Sequence, residues 1–192
     1  MKTPLESADL IRHQIWKELA RATHDRHHAW RTPTLATITR QGQPNARTVV
    51  LRKVQHDLHG GTLEIYTDRR SPKVVELMEQ PSASLVFWSA RLKWQLRVRA
   101  DIAIQTEGPY VASLWQVVSQ SKAAGDYLGL LPPGQVLPND GVTNLEPSMT
   151  DEHESHFAVL TAQVKEIDWL ELGHGQHRRC RFVGSQWQWL TP

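Results

Sequence analysis

Apolar residues first recur with helical spacing. Leu10, Ile11, Ile15, Leu19 and Ala22 fall on one broad stripe, which predicts an amphipathic helix from about Ser7 to Ala22. After the polar "HDRHHAWRTP" the period changes to two. Alternation predicts strands at 34–39, 46–54, 63–67, 83–89 and 93–105, separated by "RQGQPN", "HDLHGG" and "ARL". A second helix is expected from Pro72 to about Gln80, with Ser71 as N-cap, Pro72 in the first turn and Val74, Val75, Leu77 and Met78 as its apolar face. A helical segment over 109–128, broken near Ser119, leads into a Gly-, Pro- and Asn-rich loop over 129–150. The chain returns to strands at 157–172, 177–183 and 186–190.

Consecutive strands joined by short turns favour antiparallel pairing. Many short strands with few helices predict a mainly β domain of α+β type, a small antiparallel barrel with flanking helices. The 192 residues suit one domain, with 1–31 as an N-terminal helix and connector. No strand–helix rhythm, G-x-G-x-x-G or Walker A loop supports a Rossmann or P-loop enzyme.

Composition adds little until charge is read locally. The chain is 40% hydrophobic and 22% charged, with a formal net charge of +2 from 22 basic and 20 acidic residues. That balance does not point to nucleic acid. One cysteine, Cys180, excludes an internal disulfide and a cysteine-rich zinc site. It shares the face of Phe182 and reads as a buried structural thiol. No apolar run is long enough to span a membrane, and the N-terminal "MKTPLESADLIRHQIW" lacks the pattern of a secretory signal. The expected location is the cytoplasm. "HDRHH" and "DEHESH" do not match a helical zinc motif and read as loop histidines; no metal site is expected. Of the eight tryptophans, Trp94 and Trp115 suit the core, and Trp187 and Trp189 a subunit interface.

The local charge is unusual in "YTDRRSPKVVEL". Arg69, Arg70 and Lys73 crowd a helix start, where the dipole is already positive. An anion held there would resolve the conflict, because free N–H groups and cations at a helix N-terminus suit phosphate. Three strands also carry cations in alternation: Arg47 in "RTVVLR", Arg97 and Arg99 beside Gln95, and Arg179 and Arg181 beside His177.

The ordered set "RTVVLR", "YTDRRSPKVVEL" and "WQLRVRADI", with "SQS" at 119–121 and "DWLELGHGQHRRCRF" near the end, resembles the FMN-binding split barrel of the pyridoxamine 5'-phosphate oxidase-like family. The likeness runs from about residue 32 onward. It implies a homodimer with FMN between subunits and a small-molecule substrate, without nucleic-acid or membrane partners. Arg47 and Lys73 would hold the phosphate, with Ser71 and with Gln120 and Ser121 of the other subunit. Thr67 and the backbone around Tyr66 would line the same pocket. Val49, Val50 and Arg52 would run beside the flavin ring, Gln95 would bond its polar edge, and Trp169 and Arg181 would close it from the second subunit. His177 and Arg179 would contact substrate.

The substrate half departs from the family pattern. "TEGPYVASLWQ" has Tyr110 but no arginine, and Val111 stands where the family has serine. Near the C-terminus the family's Arg-x-His-x-Arg-Phe becomes His177, Arg179, Arg181, Phe182. The expectation is an FMN-dependent oxidoreductase. The alternatives are a flavin carrier or sensor without turnover, and a binder of another cofactor such as haem.

Overall fold

The computed structural model describes residues 7–57, 60–137, 155–173 and 175–192. Helix α1 (Ala8–His24) begins at Ser7, whose side chain accepts from the Leu10 N–H at 3.2 Å. It buries Ile11, Ile15, Leu19 and Ala22 completely. At roughly 1.5–3 kcal/mol for each large side chain, that stripe holds the helix on the sheet. Leu10, expected on the stripe, is 53% exposed, and Trp16 is buried in its place, stacked on His56 with ring centroids 5.1 Å apart.

Among the described residues, nine strands form one antiparallel sheet: β1 (Thr34–Ile38), β2 (Pro44–Thr48), β3 (Leu51–His56), β4 (Gly61–Asp68), β5 (Ser82–Ser89), β6 (Trp94–Gln105), β7 (Phe157–Glu171), β8 (Arg178–Val183) and β9 (Gln186–Leu190). The main path runs β2-β1-β5-β6-β7-β4-β3. Strand β7 pairs along one edge with β6; along the other it pairs first with β4 and then, from Ile167, with β8, which carries β9. The sheet divides there, beside a bulge that leaves Lys165 without an opposite residue on β6.

The single strand expected at 46–54 is two strands. They occupy opposite ends of the path, yet only Val49 and Val50 join them. A two-residue link spans a few ångströms, so the sheet must curl until its ends meet. Val49 is pinned there: its N–H donates to Pro33 O at 3.0 Å and its side chain is buried.

Helix α2 (Pro72–Glu79) leaves β4 toward β5, and helix α3 (Pro109–Val118) follows β6, succeeded by a 3-10 turn (Lys122–Tyr127). Val74 and Leu77 of α2 are buried as expected, but Val75 and Met78 are 51% and 73% exposed. The buried position between them is Glu76. Two apolar clusters result. The larger lies under α1 and inside the curled sheet, and the smaller joins Val111, Tyr127, Phe157 and Val159 under α3. Trp94 is core, as expected, and Trp115 packs beside Phe157 at 5.6 Å. Trp187 and Trp189 are 43% and 45% exposed on the edge strand β9. The sequence's long loop lies mostly outside the described residues; its described part, 129–137, has no helix or strand.

His28, taken from sequence as a loop histidine, is buried. Its Nε2 lies 2.8 Å from Glu18 Oε2, and its Nδ1 accepts from the Trp30 N–H at 3.1 Å. Arg91 also donates to Glu18 Oε2 at 2.9 Å. Burial opposes ionisation of Glu18, but the bond to His28 and the charge of Arg91 outweigh it and hold the carboxyl below the usual carboxylate range. Among the described residues no group of three or more His, Cys, Asp or Glu side chains is arranged to hold a metal ion. Among them also, no helix is long and apolar enough to cross a membrane.

Candidate functional site

A cavity of about 260 Å³ opens where the 49–50 link passes β4 and the start of α2. The link contributes Val49 and Val50, β3 contributes Arg52, and β4 contributes Tyr66, Thr67 and Asp68. Ser71 and Lys73 come from the head of α2, and Asp126, Tyr127 and Pro133 from the segment after α3. Seven of the sequence-derived cofactor residues therefore meet: Val49, Val50, Arg52, Tyr66, Thr67, Ser71 and Lys73.

The local devices are legible. Leu51 faces Ile65 and Lys53 faces Glu64, so Arg52 is the extra residue of a β-bulge. Its guanidinium lies over the Tyr66 ring, 5.6 Å from the centroid, and its Nε is buried with no hydrogen-bond partner. Ser71 occupies the N-cap position, but its hydroxyl does not cap the helix. It donates to Asp68 O at 2.8 Å and lies 3.3 Å from Thr67 Oγ1. The first-turn N–H groups of α2 thus receive no side-chain cap.

Lys73 is the cation at the centre. Its Nζ donates to Thr67 Oγ1 and to Ser71 Oγ, both at 3.0 Å, and it forms no ion pair among the described residues. Burial, and next the nearby Arg47 charge, pull its pKa below the ordinary lysine value; Asp68 and Glu76 act the other way without prevailing. Burial pushes the Tyr66 and Tyr127 hydroxyls above the usual phenol range.

Arg47 does not line the cavity. Its Nη2 donates to Glu76 Oε2 at 2.9 Å, and its Nη1 donates to Thr37 Oγ1. Glu76 also accepts from Thr37 Oγ1 at 2.5 Å and Asn45 Nδ2 at 2.8 Å. Burial works against its ionisation, but these three donors hold its carboxyl below the usual range. Of the other two cations in the crowded helix start, Arg70 is bound to Asp68 and to backbone carbonyls, and the Arg69 N–H donates to His156 O at 2.7 Å.

The remaining sequence-derived residues lie elsewhere on the chain. Gln95 is half-buried in the sheet, opposite Trp88 on β5 and Leu170 on β7. Gln120 and Ser121 are exposed where α3 ends, and the Ser121 side chain accepts from the Ala123 N–H at 3.2 Å. His177 is exposed just before β8. Arg179 makes a two-point pair with Asp168, at 2.9 and 2.7 Å, and Arg97 donates to the same carboxylate. Burial opposes the Asp168 charge, but the two arginines hold its carboxyl below the usual range. Arg181 donates to Gln188 Oε1 at 2.7 Å and lines a separate cavity of about 510 Å³ with Trp187.

Trp169 differs from its expectation. It is fully buried, its ring 5.2 Å from Trp94 in an edge contact, so it presents no surface to a ligand. Alternation from Asp168 to Leu170 puts it on the inner face of β7, opposite Leu96 and Cys180. Cys180 is itself buried, as expected, and burial pushes its thiol pKa up.

Sequence reasoning missed Asp126, Tyr127 and Pro133, which come from the same chain. It also missed a network beside the cavity. Tyr110 Oη donates toward both Glu64 oxygens at 2.9 and 2.8 Å, and Lys53 Nζ donates to Tyr110 Oη at 3.0 Å. A glutamate in the apolar "LEIYT" strand was the available signal for it.

The donor set suits one end of a phosphorylated, flat cofactor. It offers a partly buried ammonium with no carboxylate partner among the described residues, an orphaned guanidinium N–H, a helix start without a side-chain cap and the apolar Val49–Val50 wall. The cavity is smaller than the roughly 300–1,000 Å³ of whole small-molecule sites, so one chain encloses only part of such a ligand.

Comparison with known proteins points the same way. Residues 13–106 match the family described as "Pyridoxamine 5'-phosphate oxidase, FMN-binding domain". A pyridoxine/pyridoxamine 5'-phosphate oxidase of Cyanothece sp. is 43% identical over 70 residues, covering 36% of this chain and 31% of that protein. The corresponding protein of Chromohalobacter salexigens is 36% identical over 99 residues, covering 52% and 42%. The matched stretches therefore span less than half of these curated relatives. Among solved structures, a pyridoxamine 5'-phosphate oxidase-related, FMN-binding protein of Nostoc punctiforme covers both chains fully, with a TM-score of 0.68 and 23% identity. PhzG of Burkholderia lata gives a TM-score of 0.67 at 20% identity, covering 100% of this chain and 95% of its own. These likenesses fix the fold as the split barrel, mostly antiparallel sheet with flanking helices.

Proposed function

The chain belongs, through residues 13–106, to the pyridoxamine 5'-phosphate oxidase FMN-binding domain family, and on that premise we propose that it is an FMN-dependent oxidoreductase acting on a small molecule. The observation that carries the reading is Lys73: a partly buried ammonium at a helix head, bonded to two hydroxyls and paired with no carboxylate among the described residues. A dianionic phosphate supplies the charge it lacks. Ser71 and Thr67 orient the ammonium, and the positive end of the α2 dipole adds to it.

Val49 and Val50 form the wall along which a ring would lie, and Arg52 offers its free Nε–H beside them. FMN, when bound, supplies the hydride or electron-transfer chemistry; the protein supplies binding, orientation and electrostatics. The rest of the ring site comes from a second copy of the chain in a homodimer. The small volume enclosed by one chain supports this, as does the exposure of Gln120 and Ser121. Arg181 would close the ring from that copy, Gln95 would bond its polar edge, and His177 and Arg179 would meet substrate. The fully buried Trp169 is left out of this proposal.

The test is the visible spectrum of the purified protein before and after addition of FMN. The expected result is a flavin spectrum and saturable binding. Failure of FMN to copurify or to bind at micromolar concentration overturns the reading. A flavin carrier without turnover is the second reading, favoured by the engagement of Arg179 with Asp168. It predicts bound FMN that no added amine or alcohol substrate reduces.

A further inference from the structure

We infer that Arg70 is a clamp that fastens the 126–134 segment over the Lys73 cavity and sets how fast a phosphate-ended cofactor leaves it. The inference rests on the FMN reading above. Arg70 does not line the cavity. Its guanidinium is fixed by Asp68, through Nε to Oδ1 at 3.1 Å and Nη2 to Oδ2 at 2.7 Å, and that carboxylate is 6% exposed. The outward N–H groups then reach three successive carbonyls: Gly129 at 2.7 Å, Leu130 at 3.3 Å and Leu131 at 3.4 Å. A planar guanidinium can hold a carboxylate and several carbonyls at once, whereas an ammonium has only three donors on a point charge.

Among the described residues little else secures this stretch. Residues 128–137 contain no helix or strand, and the backbone bonds found within it are the turns Leu128 N to Gly125 O at 3.5 Å and Gln135 N to Pro132 O at 3.2 Å. It is anchored upstream where His156 N donates to Tyr127 O at 2.9 Å. Downstream, Gly134 lies against the helix head with φ +85, where an added Cβ would sit 3.3 Å from Pro72 Cγ. Between these anchors the segment delivers Asp126, Tyr127 and Pro133 to the cavity wall. Arg70 is thus a positioning residue. It acts on the ligand through the strap, and its own charge is already matched by Asp68.

Release of FMN tests this without reference to turnover. The wild type, Arg70→Ala, Arg70→Lys and Gly134→Ala are loaded with FMN, and dissociation is followed by recovery of flavin fluorescence after dilution. Arg70→Ala also frees the buried Asp68 carboxylate. Gly134→Ala leaves that pair intact and pushes the strap away from Pro72, so it isolates the strap itself. The expected result is release about tenfold faster in both, with smaller changes in association rate and no rescue by Arg70→Lys. Release at the wild-type rate in both variants, from a wild type that binds FMN, overturns the clamp and leaves the cofactor reading standing. A wild type that does not bind FMN overturns both.

Discussion

Arg47 and Glu76 form an ion pair at 2.9 Å in which the carboxylate side chain is 9% exposed and the guanidinium 20%. The pair divides two cations that the sequence had joined. Arg47 is neutralised by the second turn of α2, while Lys73, one turn earlier, is left for a ligand.

Different consequences therefore follow from removing each. Lys73→Ala is expected to weaken FMN binding at least tenfold with little loss of stability, since the partly desolvated charge is itself unfavourable. Arg47→Ala leaves Glu76 buried without its counter-charge and costs about 3 kcal/mol of stability. Flavin fluorescence titration and urea unfolding separate the two. An Arg47→Ala protein of wild-type stability would remove the structural role given to the pair.

Lys73 also makes binding depend on pH. Its folded pKa lies below its unfolded one, so the unfolded chain holds that proton more tightly. The stability cost is present at neutral pH and is relieved as pH rises through the window below the ordinary lysine value of about 10.4. A bound phosphate favours the ammonium and reverses this shift. FMN affinity should then fall across that alkaline window, and Lys73→Arg should flatten the profile. Titrations at several pH values check it; an unchanged profile in Lys73→Arg would contradict the assignment.

Asp168 stitches β6 to β8 through Arg97 and Arg179. Its folded pKa is depressed, so its contribution is present above the usual carboxylate range and is lost as pH falls through the folded value. Asp168→Asn is expected to cost about 1–2 kcal/mol at neutral pH, because both arginines keep some solvent contact. The difference from wild type should shrink toward zero in acid. Urea midpoints at neutral and acidic pH supply the measurement.

Tyr110→Phe should destabilise the protein by about 1–2 kcal/mol. Glu64, 4% exposed, loses its hydroxyl donor and keeps, among the described residues, Lys53 at 3.6 Å. Phenylalanine retains the apolar packing of Tyr110, in the first turn of α3, against the smaller cluster, so the cost reports the hydrogen bonds. A Tyr110→Phe protein with unchanged unfolding midpoint would show that Lys53 alone satisfies the carboxylate.

The sequence by itself determined the alternating faces of β6 and β8. Alternation in "WQLRVR" and "HRRCRF" gave the buried Leu96, Val98, Cys180 and Phe182, because the side-chain period of a strand is local and needs no partner. The family resemblance carried by the ordered motifs also brought seven of the cavity residues into view. Tertiary structure decided what alternation cannot carry. "ARTVVLRKV" reads as one strand, but the curled sheet requires a break at Val49–Val50 so that β2 and β3 can take opposite ends of the path. Charge pairing was equally hidden. Arg47 finds Glu76 29 positions away, and Arg70 finds carbonyls 59 to 61 positions away. A cation's partner is set by which backbone the fold brings within hydrogen-bond reach, and only the assembled barrel leaves Lys73 without an ion pair among the described residues.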